Sequence, residues 1–135
     1  AGLLPGALLH NNGQQFISKN VHIRVVSRNT AVTNAVPDKA LKIPIAHGEG
    51  RFHADAATLA ALKEGDRILF KYCDAEGRIT DVANPNGSKD NIAGVCNKGR
   101  NVFGMMPHPE RAADERLGNT DGKWLFDSML KAVLA

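Results

Sequence analysis

The chain has 135 residues, 43% of them hydrophobic and 23% charged, a balance that fits one globular domain with a modest core, and no apolar run approaches the roughly 20 residues of a membrane span. Its net charge of +3 is scattered over residues such as Lys39, Lys42, Arg51, Lys63, Arg67 and Lys71, and only 5% of the residues are aromatic, which argues against a nucleic-acid-binding stripe. Two cysteines, Cys73 and Cys96, without a secretory leader fit free thiols in a reducing cytoplasm.

In chain order, AGLLPG reads as the end of a helix, with Gly2 as its cap and Pro5 beyond it. A chain that opens at the end of a helix, without methionine, is expected to have its beginning elsewhere. VHIRVVS, 21–27, alternates apolar and polar residues as a half-buried strand does. Residues 33–40 form a loop around Pro37, and the apolar stretch 41–46 leads into the glycine-flanked turn AHGEG. DAATLAALKEG predicts a helix that Asp55 caps, Leu59 and Leu62 bury and Gly65 stops. RILFKYC, 67–73, is a strand that the AEG turn joins to a second one, GRITDV. Residues 82–91, with Pro85 and an Asn-Gly pair, are a loop. IAGVCN and NVFGMMP, 92–97 and 101–107, are strands joined by KGR. The end, from Thr120 or Asp121 as cap, predicts an amphipathic helix with Leu125, Phe126, Met129, Leu130, Val133 and Leu134 on one face. About seven strands with two or three helices, hairpins in the middle and a final strand-to-helix unit point to an α/β fold with antiparallel pairs. So few helices would leave a parallel sheet uncovered, so further elements are expected outside these residues.

GMMPHPER, 104–111, carries the clearest chemistry. Pro107 and Pro109 fix φ and disfavour the α region for the residue before each, so His108 should be extended. In an extended chain Glu110 lies on the same side as His108. A carboxylate beside an imidazole fixes its tautomer and stabilises its charged form, as the base of a nucleophile requires. The matching nucleophile is not evident. Cys96 ends a strand but precedes a turn and another strand, not the helix N-terminus that lowers a thiol pKa, so it reads as a core or edge cysteine. Cys73 has less support still. His47, Gly48 and Glu49 form a turn whose backbone can either approach a small polar ligand or simply reverse the chain. His47, His53, His108 and Glu110 could ligate a metal, but no HExxH or paired-cysteine spacing supports it, and no residue is assigned to a metal. GNTDGK lacks the spacing of a phosphate loop.

IPIAHGEGRF, ANPNGS, IAGVCN and GMMPHPERA, in this order and over essentially the whole chain, resemble the glutamine amidotransferase subunits of phosphoribosylformylglycinamidine synthase, a class I amidotransferase family of purine biosynthesis. The resemblance implies a flavodoxin-like α/β fold, here incomplete, with residues 1–135 as the C-terminal part of a single domain. It also implies a Cys-His-Glu triad in which His108 and Glu110 match the histidine and glutamate. The family's cysteine sits in an elbow upstream of the segment matching LLPG, so this chain alone is expected to lack the nucleophile. His47, Gly48 and Glu49 match a loop that contacts glutamine largely through backbone. The implied partners are L-glutamine, a large synthetase subunit and a possible small third subunit. No cofactor is expected in this chain, since ATP and magnesium would lie on the synthetase. A noncatalytic amidotransferase-like docking module is the alternative.

Overall fold

The computed structural model describes residues 4–11, 13, 15–48 and 50–134. Among them run β1 (Ala7–Leu9), β2 (Ile17–Val25), β3 (Leu41–His47), β4 (Arg51–His53), α1 (Ala56–Glu64), β5 (Ile68–Cys73), β6 (Ile92–Cys96), β7 (Phe103–Met105) and α2 (Lys123–Leu134). Strands β1 and β4 form a two-stranded ribbon, and the other five form a sheet in the order β3-β2-β5-β6-β7. Every strand pair among the described residues is antiparallel. The result is a mixed α/β architecture.

Alternation sets which face of the sheet is covered. Val21, Ile23 and Val25 of β2 and Leu41, Ile43 and Ile45 of β3 are buried, and they join Phe70, Tyr72 and Leu125 in the main core. A second cluster gathers Phe52, Leu62, Ile68, Ile92 and Val95 under α1. This helix forms as its sequence predicts: the Asp55 carboxylate accepts from Thr58 N–H at 2.7 Å, and Gly65 N–H closes on the Ala61 carbonyl at 3.0 Å. Leu62 is its fully buried residue. Leu62→Ala should therefore lower unfolding free energy in urea by about 2–5 kcal/mol; a loss below about 1 kcal/mol would mean that the second cluster collapses around the gap.

The sheet is curled. Laid flat, four steps of about 4.8 Å would separate β3 from β7 by roughly 19 Å. Yet β7 ends at Met105, and His108, three residues later, donates its N–H to the Pro44 carbonyl of β3 at 2.7 Å. Three residues reach at most about 11 Å. The two sheet edges must therefore approach each other where the chain leaves β7.

Several expectations change in detail. The helix end expected around Gly2 lies outside the described residues, and from Leu4 to Gly6 the chain bends into β1. The strand expected at 21–27 begins four residues earlier, at Ile17. The strand expected from GRITDV is absent. Asp74 takes the N–H groups of Glu76 and Arg78, Thr80 takes that of Ala83, and residues 81–83 close into a 3₁₀ turn with Val82 almost fully exposed. Local side-chain bonds to the backbone here replace a ladder. On α2, Leu125 is buried and Met129 partly so, but Phe126, Leu130, Val133 and Leu134 are exposed. The inward stripe is instead completed by Ser128, whose hydroxyl accepts the Ala35 N–H at 3.0 Å.

Candidate active site

The free edge of β3 organises the site. Pro44 lacks an N–H, which is tolerated on an edge strand because no ladder bond is lost there. The segment after β7 lies along that edge. His108 N–H bonds the Pro44 carbonyl, the Asn119 side-chain amide bonds the Lys42 carbonyl at 2.7 Å, and the Asp121 carboxylate accepts the Lys42 N–H at 2.9 Å. Asp121 is thus spent on the edge rather than on capping α2. The segment closes on itself where Gly122 N–H meets the Ala112 carbonyl at 2.8 Å.

Within this frame His108 and Glu110 are brought together, with His108 Nδ1 2.9 Å from Glu110 Oε1. The route differs from the extended one expected. His108 itself is non-helical (φ −105°, ψ 88°), but Pro109 starts a 3₁₀ turn over Pro109–Ala112, as its fixed φ and missing N–H favour at a first helical position. The turn brings the Glu110 carboxylate back to Nδ1 of His108. A carboxylate at Nδ1 holds the proton there and leaves Nε2 to act as acceptor; among the described residues Nε2 has no hydrogen-bond partner. The pair is accessible, the side chains of His108 and Glu110 being 33% and 57% exposed. An outside group can therefore approach.

The other candidates fall elsewhere. Gly48 lies beyond the end of β3, roughly 13 Å along the strand from Pro44, and its carbonyl accepts the Asn11 N–H at 3.0 Å. His47 is described as the last position of that strand, paired across to Ile17, and Glu49 lies outside the described residues. Cys96 ends β6 and is buried, as is Cys73, and both are free thiols. Burial pushes the Cys73 thiol up to about 11, with nearby Arg24 opposing and Asp74 reinforcing the rise. Burial likewise raises Cys96, against the pull of Arg100 and Arg67. Neither sulfur has the low-pKa, accessible setting of a nucleophile. An apolar cleft of about 260 Å³ lies against β1, β6 and β7, lined by Leu4, Phe52, Gly94, Gly104 and Met105 among others; it contains neither His108 nor Glu110 and no titratable side chain. Among the described residues no group of three His, Cys, Asp or Glu side chains is placed to hold a metal ion.

Sequence reasoning missed Asn119, Asp121 and Gly122 as supports of the pair. Pro44 inside an apolar strand was the available signal, since it marks an edge that something else must cover.

A family model described as the CobB/CobQ-like glutamine amidotransferase domain matches residues 4–128. The phosphoribosylformylglycinamidine synthase subunit PurQ of Koribacter versatilis is 54% identical over 134 residues, covering 98% of this chain and 58% of that protein. Its counterpart from Aquifex aeolicus is 49% identical over 130 residues, covering 96% of this chain and 57% of its own length. A chain in the structure of PurLQS from Thermotoga maritima superposes with a TM-score of 0.78 at 40% identity, over 98% of this chain and 55% of that one. The chain thus spans somewhat over half the length of the curated relatives it matches.

Proposed function

Because the chain belongs to the CobB/CobQ-like glutamine amidotransferase domain family, we propose that it is the acid–base part of the glutaminase subunit of phosphoribosylformylglycinamidine synthase. The observation that carries the reading is the His108–Glu110 contact at 2.9 Å. His108 removes the proton from a thiol, and the thiolate attacks the side-chain amide of glutamine. Backbone N–H groups beside the sulfur hold the oxyanion. His108 then gives its proton to the departing ammonia, leaving a glutamyl thioester that water cleaves. Glu110 orients the ring and balances its charge while it is protonated.

The thiol comes from polypeptide outside these 135 residues, a reading supported by the buried, raised thiols of Cys73 and Cys96. Residues 1–135 are then the C-terminal part of one domain whose flavodoxin-like α/β fold that polypeptide completes. The turn at His47, Gly48 and Glu49 holds glutamine through its backbone. Ammonia passes to a large synthetase subunit, which supplies ATP and magnesium. Free thiols at Cys73 and Cys96 agree with a cytoplasmic setting.

A glutamine-derived electrophile such as a diazo-ketone analogue tests the assignment in the full-length protein. The adduct should map to a cysteine other than Cys73 and Cys96, and glutamine should protect it. An adduct on Cys96 would overturn the assignment, as would the absence of any glutamine-protected adduct.

A further inference from the structure

The chain leaving β3 at Gly48 meets a second segment. The Ile17–His47 pair stands at one end of it and the Leu9–Arg51 pair at the other, so the described residues His10, Asn11 and Gln15 belong to an arch beside Gly48. Two bonds fasten the arch: Asn11 N–H to the Gly48 carbonyl at 3.0 Å, and Arg51 Nε to the His10 carbonyl at 2.8 Å.

A third segment braces the arch from inside. Asn11 and Asn86 are 1% and 3% exposed, although both lie in loops, where a polar side chain can usually stay in water. Burying an amide costs free energy unless its bonds are made, and here they are. Asn86 Nδ2 donates to Asn11 Oδ1 at 3.3 Å, Asn11 Nδ2 donates to the Gln15 carbonyl at 2.9 Å, and Asn86 Oδ1 accepts the Ser88 N–H at 3.2 Å. The loop carrying Asn86 is itself stiff. Asn84 Oδ1 collects the N–H groups of Asn86, Gly87 and Ser88, and Ser88 Oγ bonds the Ile92 carbonyl. A continuous relay therefore runs from β6, through Asn86 and Asn11, to the Gly48 carbonyl. Fixing that carbonyl fixes the plane of the peptide that follows it.

We propose that Asn86, acting through Asn11, is a positioning residue that sets the backbone of the Gly48 turn and thereby the affinity for glutamine. This inference rests on the reading of that turn as the glutamine contact.

The test uses the full-length protein assembled with its synthetase. Asn86→Ala should raise KM for glutamine about tenfold, the scale of one lost buried hydrogen bond. It should leave kcat within about twofold and ammonia-dependent synthesis unchanged. Asn86→Asp keeps the size and the acceptor for Ser88 but loses the donor to Asn11, so it should raise KM similarly, and it decides the matter if the alanine variant does not fold. Asn11→Ala combined with Asn86→Ala should raise KM no further than the larger single change, because both break one relay. An unchanged KM in a folded variant, KM effects that multiply, or a parallel loss of ammonia-dependent synthesis would each overturn the inference. If His108→Ala also leaves glutamine hydrolysis intact, the underlying functional reading falls as well; if it abolishes hydrolysis, only the relay falls.

Discussion

Replacing His108 with alanine should lower glutamine-dependent synthesis by at least about 10²–10⁴-fold, the usual contribution of a positioned acid–base group, while synthesis from free ammonia persists. The split follows from where the chemistry lies. On the proposed reading His108 would serve only the release of ammonia, and a synthetase partner would use ammonia whatever its source. Glu110→Gln keeps the shape of the side chain and a possible hydrogen bond to Nδ1 at the same position, now 2.9 Å in the native pair. It removes the negative charge that steadies imidazolium, so its loss should fall mainly on kcat and be smaller than that of His108→Ala. Equal loss of glutamine- and ammonia-dependent synthesis in both variants would mark the pair as structural.

Gly122→Ala is the second large effect, and it acts through packing. A Cβ on Gly122 would overlap the Pro109 carbonyl oxygen and lie 2.8 Å from both its carbon and its Cα. These are backbone atoms and cannot rotate aside. The 3₁₀ turn that brings Glu110 to His108 must shift, or the Gly122–Ala112 bond must break. Overpacking of this kind costs about 1–3 kcal/mol, measurable by urea unfolding. The cost to activity should be larger, on the order of 10²-fold, because a small displacement of an acid–base group is expensive. Gly118 offers the contrast. It sits in a left-handed conformation, φ +79°, with open space around it. Gly118→Ala should therefore lower stability without a comparable fall in glutamine-dependent synthesis. Full activity in Gly122→Ala would show that the turn moves freely and does not position the pair.

What could be read from sequence follows local physics. α1 was legible because its cap, its buried Leu62 and its stop all lie within ten residues of one another. The alternation of β2 was legible because one face of it is buried, and β3 was legible as an apolar run. The His108–Glu110 pairing was legible from two prolines and a spacing of two, although the 3₁₀ path was not, because either proline can serve an extended or a turning chain. Long-range effects were hidden. The pairing of β1 with β4 depends on partners more than forty residues apart. The loss of the GRITDV strand was decided by Asp74 and Thr80 side chains competing for backbone N–H groups. The exposure of Phe126 and Leu130 reflects which part of α2 meets the Thr30–Val36 loop, through Ser128, and periodicity alone does not contain that.

The meeting of His108 with an outside sulfur would be seen in a crystal structure of the full-length protein bearing the glutamine-derived adduct. The modified sulfur should lie within about 3–4 Å of His108 Nε2, the reach of a proton transfer to a thiol, with Glu110 still on Nδ1. A sulfur lying away from His108, or a His108 ring turned from Glu110 with its Nε2 engaged elsewhere, would contradict it.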